Sequence, residues 1–178
     1  APYYAPSAKI KAAFTSADKR KPVCFIEGVN AAGKVLFTCQ NKFRGTPYEK
    51  DRYYDNDIVV YRLADVHLLK AELLCYLDGG NVAQAIGLMN KTRNRAGIGD
   101  YTGPTDLPSV QRAILDERFL ELCFELKRWP DLMRAHAAGT INIYNEVPNL
   151  NGKSTPLYFP ITPTMRDYNE NLTQTEGY

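Results

Sequence analysis

Ile114-Leu-Asp-Glu117-Arg118-Phe-Leu-Glu121-Leu-Cys-Phe124-Glu125-Leu-Lys-Arg128-Trp129-Pro-Asp131-Leu132-Met-Arg134 is the stretch whose reading decides the fold. Glu117, Glu121 and Glu125 recur at i, i+4 and i+8, a spacing that stacks them on one face of a helix with apolar residues on both sides. A charged stripe between two apolar faces needs partners, because half-buried charges persist only when paired, and arginine is suited to that bidentate work. The chain holds candidates on both sides of the balance. Arg62, Arg93, Arg95, Arg118, Arg128 and Arg134 can neutralise Asp65, Glu72, Glu117, Glu121, Glu125 and Asp131 in an ionic network between packed helices. The competing reading takes Glu117 and Glu121 as the acid/base pair of an α-helical glycoside hydrolase. That reading requires two solvent-connected carboxylates facing a cleft, whereas the network requires both against arginine.

Outward from this stretch the pattern stays helical. Ile58 to Asp78 is apolar on nearly every side, with Arg62, Asp65 and Glu72 in one narrow sector, so the spacing predicts a helix packed on several sides. Gly79-Gly80 ends it. Asn81 caps a second helix from Val82 to about Ala96, with Gly97 as its C′ residue, giving an antiparallel pair. A third helix runs from Pro108 or Ser109 toward Leu126, and Pro130 suits the first turn of a fourth that ends before Gly139. Trp129 reads as a packing residue between them. The expected organisation is an extended and hairpin segment over 1–57, a helical core over 58–138, and an irregular wrap over 139–178.

In the first segment, Lys21-Pro-Val-Cys-Phe-Ile-Glu27 and Lys34-Val-Leu-Phe-Thr-Cys39 flank Asn30-Ala-Ala-Gly33, the pattern of a β-hairpin with a four-residue loop. A hairpin symmetric about that loop sets Cys24 opposite Cys39. The two either form a cross-strand disulfide in an oxidising compartment or remain half-buried thiols, since directly opposed strand positions often fit disulfide geometry poorly.

Composition excludes several functions. Lysine and arginine number 22 against 20 acidic residues, with no basic stripe to follow a phosphate backbone, so nucleic acid is not an expected partner. The four cysteines lack paired CxxC spacing and there are two histidines, so no metal site is expected. No apolar run approaches the roughly 20 residues that span a bilayer.

Twelve tyrosines are a high count for this length. Tyr3, Tyr4, Tyr48, Tyr53, Tyr54, Tyr101 and Tyr144 fall in irregular segments, where binding residues concentrate. An aromatic platform beside amides and charges suits a sugar, whose C–H face lies on the ring while its hydroxyls find hydrogen bonds. The alternative for each tyrosine is that it packs a loop against a helix.

The ordered motifs resemble the SusD/RagB family. Arg62-Leu-Ala-Asp65-Val-His-Leu-Leu-Lys-Ala-Glu72 is similar to that family's first conserved helix, and the run from Ala85 through Asn90, Arg93 and Arg95 to Gly97 is similar to the next. Ile114 to Arg134 resembles its most distinctive stretch, with Leu126 where the family usually has glycine. Tyr158-Phe-Pro-Ile161 and Asn169 to Tyr178 resemble its C-terminus. The resemblance implies a mainly α fold, an α-α superhelix of TPR-like helix pairs with a short β-hairpin and long irregular segments. It also implies that this is the C-terminal region of a longer protein, with the N-terminal half and a lipidated cysteine outside this chain. As function it implies capture of glycan or peptide nutrients at the outer membrane, beside a SusC-like TonB-dependent transporter, without catalysis or cofactor; a purely structural docking role is the alternative. Family ligand contacts come from variable loops, so the site expectation stays with the tyrosines.

Overall fold

The fold is seen in a computed structural model that describes residues 5–77 and 80–178, with the side chains of 51 and 52 outside that description. The described residues fall into two compact units, which divide after Trp129.

The first unit is mainly α. It begins with α1 (Ala8–Ala13), capped by the Ser7 hydroxyl, and a single turn α2 (Lys21–Cys24), followed by β1 (Phe25–Val29) and β2 (Val35–Gln40). A second hairpin, β3 (Thr46–Tyr48) and β4 (Asp51–Tyr53), comes next. Three long helices follow: α3 (Leu63–Tyr76), α4 (Val82–Ala96) and α5 (Leu107–Glu121). They pack on one another, and Leu68, Ala71, Leu74, Cys75, Ala85, Met89, Val110 and Ile114 form their shared core. A smaller cluster of Ile10, Phe14, Cys24 and Cys123 sits beneath α1 and the end of α5.

Local chemistry explains the helix ends. The Asn81 side chain accepts from the Gln84 amide at 3.1 Å, and Gly97 closes α4 in the left-handed conformation at φ +76°. Gly97 is also required for close approach: a Cβ there would stand 2.8 Å from Cε of Lys19, whose amide donates to the Ala96 carbonyl at 2.9 Å. The 15–20 segment is thereby docked on the end of α4. Asp106 caps α5 by accepting from the Ser109 amide at 3.0 Å.

The hairpin and the helix limits correct the sequence expectation. Residues 21–24 are helical, so the first strand starts only at Phe25. The loop is longer than the symmetric one by a register shift at Gly28/Val29, which pairs Ile26 with Cys39. Cys24 is therefore not opposite Cys39; it is buried against Cys123. Ile58 to Arg62 is not helical, with a bend at Val60 and extended backbone at Arg62, so α3 begins five residues late. α5 stops at Glu121 instead of running toward Leu126, because Phe124 and Leu126 adopt φ +66° and +59°. Those values break the helical ladder and turn the chain away from the α5 axis. Trp129 is partly exposed, not a core residue.

The helix α6 (Arg128–Ala137) leads into the second unit, which also contains α7 (Ile143–Glu146), a 3-10 turn (Pro148–Leu150) and α8 (Pro163–Tyr168). Side chains organise its irregular backbone. The Gln174 amide both accepts from the Ile161 amide at 2.7 Å and donates to the Ile161 carbonyl at 3.1 Å, substituting for a strand neighbour. Thr175 donates to the Phe159 carbonyl at 2.8 Å.

Candidate functional site

Two features carry chemistry in the first unit: a buried ionic network at the end of α5 and an aromatic hairpin beside it.

Arg20 is the centre of the network. Asp18 accepts from its Nε at 2.9 Å and its Nη2 at 2.7 Å, while Nη1 donates to Glu117 at 2.6 Å and Glu121 at 3.0 Å. Arg62 approaches the same face from the start of α3, with Nη1 on Glu121 at 2.6 Å and Nε and Nη2 each 2.8 Å from a different oxygen of Glu125. Arg95 also pairs with Glu121, Lys42 with Glu125, and Arg93 with Glu117 at 3.6 Å. Asp18, Arg20 and Lys42 lie in segments without helical periodicity; the Asp18-x-Arg20 spacing resembles the SusD/RagB region before these helices, but it does not announce a place in the ionic network. On the far side of α5, Arg118 donates to Asp65 at 2.9 Å and stands 3.9 Å from Glu72, and Lys127 reaches Asp65 at 3.2 Å. Arg134 pairs with Asp131 at 2.8 Å one turn along α6. Arg128 instead donates to the Leu115 carbonyl at 3.0 Å and lies over the Phe119 ring.

The electrostatics follow from this geometry. Burial raises the pKa of Glu117 against the pull of Arg20 and Arg93. Burial acts in the same sense on Glu121 and Glu125, but arginine contacts outweigh it and both pKa values are lowered. Burial likewise opposes charge on Arg20 and Arg62, and their carboxylate partners more than compensate. The Glu117 and Glu121 side chains are each 2% exposed. Each carboxylate is held by two or more cations, the arrangement that lets charge persist in a buried site.

Next to this network lies the β3–β4 hairpin. Tyr48 and Tyr53 are diagonal neighbours on one face, with ring centroids 4.5 Å apart, and Tyr54 follows at 79% exposure. Gly45 starts the hairpin at φ +65°, so close beneath the Tyr53 carbonyl that a Cβ has no room. The Asn56 side chain accepts from the Gly45 amide, and Asp55 from the Thr46 amide at 2.9 Å, tying the strand exit back to its entry. Asn56 is shared by two cavities. One, of about 600 Å³, is lined by Lys19, Arg20, Lys42, Arg62, Arg95 and Glu121 among others. The other, of about 350 Å³, is lined by Phe43, Tyr54, Asp57, Ile58, Phe124 and Leu126 among others.

The structure brings two of the seven candidate tyrosines, Tyr48 and Tyr53, into ring contact, and Tyr54, next in the chain, lines the second cavity. Tyr101 is used internally: its hydroxyl donates to the Pro104 carbonyl at 2.9 Å, its amide to Asn90 at 2.8 Å, and its ring packs on the helical core. Tyr144 belongs to the second unit, where its hydroxyl donates to the Thr155 carbonyl at 2.8 Å. Tyr3 and Tyr4 lie outside the described residues. Among the described residues no cluster of histidine, cysteine and carboxylate groups could hold a metal ion, and no helix is long and apolar enough to cross a membrane.

Comparison with known proteins places this architecture. The model of the SusD family matches residues 15–178. The chain belongs to the SusD family. It is 32% identical over 140 residues to the starch-binding protein SusD of Bacteroides thetaiotaomicron, covering 75% of this chain and 24% of that protein. It is 39% identical over 92 residues to SusD-like protein P38 of Formosa agariphila, covering 47% of this chain and 18% of that one. Among solved structures, a SusD superfamily protein from Bacteroides fragilis superposes with a TM-score of 0.75 at 28% identity, over 95% of this chain and 39% of the other. Surface glycan-binding protein A from Bacteroides uniformis superposes with a TM-score of 0.72 at 26% identity, over 94% and 40%. The chain thus spans about a quarter or less of these curated SusD relatives and about two fifths of the solved ones. The mainly α fold with its helix pair is that of the SusD superfamily.

Proposed function

We propose that this chain is part of a cell-surface glycan-binding protein that delivers its ligand to a SusC-like TonB-dependent transporter of the outer membrane without chemical turnover, held there by a lipid anchor outside the chain. Its support is the Tyr48–Tyr53 ring pair together with Tyr54, next in the chain, on the wall of one of the two cavities that share Asn56. Exposed rings offer the flat apolar face, and Asn56, Asp57 and Arg95 offer the hydrogen bonds, that a sugar requires. Membership of a family whose relatives include a starch-binding protein and a surface glycan-binding protein points the same way. The pairing of Glu117 and Glu121 with arginines weighs against the hydrolase reading. The residues of the ionic network serve as scaffold, holding the 18–20 segment, the β2 exit and the start of α3 on the end of α5.

A second reading, a structural docking module with its ligand site elsewhere, is favoured by α3. Its inner face is buried, yet Leu63, Val66 and Leu73 form an exposed apolar stripe on the opposite face.

Titration calorimetry of the chain against a panel of soluble oligosaccharides and peptides, with reducing-sugar release followed in the same samples, separates these. Saturable binding without product is the expected result. A folded but silent sample favours the docking module, and sustained sugar release overturns the binding reading.

A further inference from the structure

We propose that Cys24 and Cys123 form a disulfide that ties the end of α2 to the turn after α5. Their sulfurs are 3.7 Å apart, and the two residues are 3% and 7% exposed. Each is the other's hydrogen-bond partner inside the Ile10 and Phe14 cluster. The other two cysteines are placed elsewhere, Cys39 on β2 opposite Ile26 and Cys75 in the helical core. Bringing 3.7 Å to the roughly 2.05 Å of a bond is a movement on the scale of a side-chain adjustment.

The surroundings favour the chemistry. The Cys123 contact, with Lys42 and Arg20 nearby, lowers the Cys24 pKa to about 7 against the effect of burial, while contact with Cys24 and burial raise that of Cys123. Cys24 is the member of the pair that shares a cavity with Lys42 and Arg20, which makes it the first nucleophile. It lines the 600 Å³ cavity, and Cys123 lines a separate cavity of about 430 Å³ bounded by Pro6, Ile10, Phe119 and Leu122. Each cysteine thus borders open space.

The oxidant is a disulfide, such as glutathione disulfide or the oxidised dithiol of an exchange protein. The Cys24 thiolate attacks one of its sulfurs, the S–S bond breaks, and a thiolate leaves. Cys123 then gives up its proton and attacks the Cys24 sulfur of the mixed disulfide, expelling the second thiol. Two protein thiols lose two electrons and two protons, and the oxidant becomes two thiols. The inference takes its oxidising compartment from the cell-surface reading, but its test is independent of any ligand.

The chain is refolded in a glutathione/glutathione disulfide buffer, acid-quenched and denatured, its thiols counted by a chromogenic disulfide, and its mass and proteolytic peptides determined. The expected product is lighter by two hydrogens, retains two of the four thiols, and yields a peptide linking Cys24 to Cys123. Cys39→Ser still forms that link, whereas Cys24→Ser and Cys123→Ser each keep three thiols. Four free thiols in the wild-type chain, or a link through Cys39 or Cys75, would overturn the proposal.

Discussion

The Arg62 guanidinium grips both oxygens of the Glu125 carboxylate at 2.8 Å, although 63 residues separate the two in sequence. This fork needs the planar donor array of arginine, and lysine cannot reproduce it. Removing a partner from a buried pair leaves an uncompensated charge. Arg62→Ala should therefore lower unfolding stability by about 3 kcal/mol, with Arg62→Lys recovering less than half of that loss in urea titration. A lysine variant as stable as wild type would show that charge alone suffices.

Acid should act on this network with opposing signs. Glu121 and Glu125 have lowered folded pKa values, so they contribute stability present above the unfolded value of about 4.3, lost as pH falls through their folded values. Glu117 has a raised folded pKa, so its contribution is full below about 4.3 and is lost as pH rises through the folded value. Glu117→Gln should accordingly steepen the loss of stability on acidification, and Glu121→Gln should flatten it. Denaturation midpoints measured across the acid range test both; equal slopes in the two variants would refute the assignment.

Leu126 has φ +59° and is 92% exposed. A branched side chain in the left-handed region is strained, and here no burial offsets it, so Leu126→Gly should stabilise the chain by about 1 kcal/mol. Phe124 has φ +66°, but its ring packs edge-on against Phe25 at 5.7 Å. Phe124→Gly should destabilise despite relieving the same backbone strain. Thermal melts of the two variants moving in the same direction would contradict this.

The tyrosines separate by role. Tyr54→Ala should weaken glycan binding at least tenfold with little change in melting temperature. Tyr101→Phe should leave binding intact and lower stability by about 1 kcal/mol through the lost hydroxyl bond. Calorimetry and melting of the same preparations check both, and the reverse pattern would move the ligand away from the hairpin.

What could be read from sequence was local. α4 is bounded by Asn81 and Gly97, whose capping chemistry acts within one turn, and its limits follow from the residues alone. The start of α3 was not legible, because Ile58 to Tyr61 is apolar in either an extended or a helical chain. The register of β1 and β2 turned on a shift at Gly28/Val29 that no residue pattern announces. The second hairpin was hidden by Pro47 and by its charged turn. Arg20 donates to carboxylates 97 and 101 residues away, a relationship that only the folded chain creates. The positive φ of Leu126 gives a physical reason for the glycine usual at that position in the resembled pattern.

Lys42 donates to the carbonyls of Glu121 at 2.7 Å and Cys123 at 3.3 Å. A helix normally closes its C-terminus with residues that follow it directly, whereas the last turn of α5 is finished by an ammonium from 79 residues upstream. Arg62 donates to the same Glu121 carbonyl at 2.7 Å, so the start of α3 and the β2 exit both stabilise this helix end. Amide exchange around residues 122–126 is thereby coupled to opening of the β2 exit, giving that segment and the end of α5 a common unfolding event.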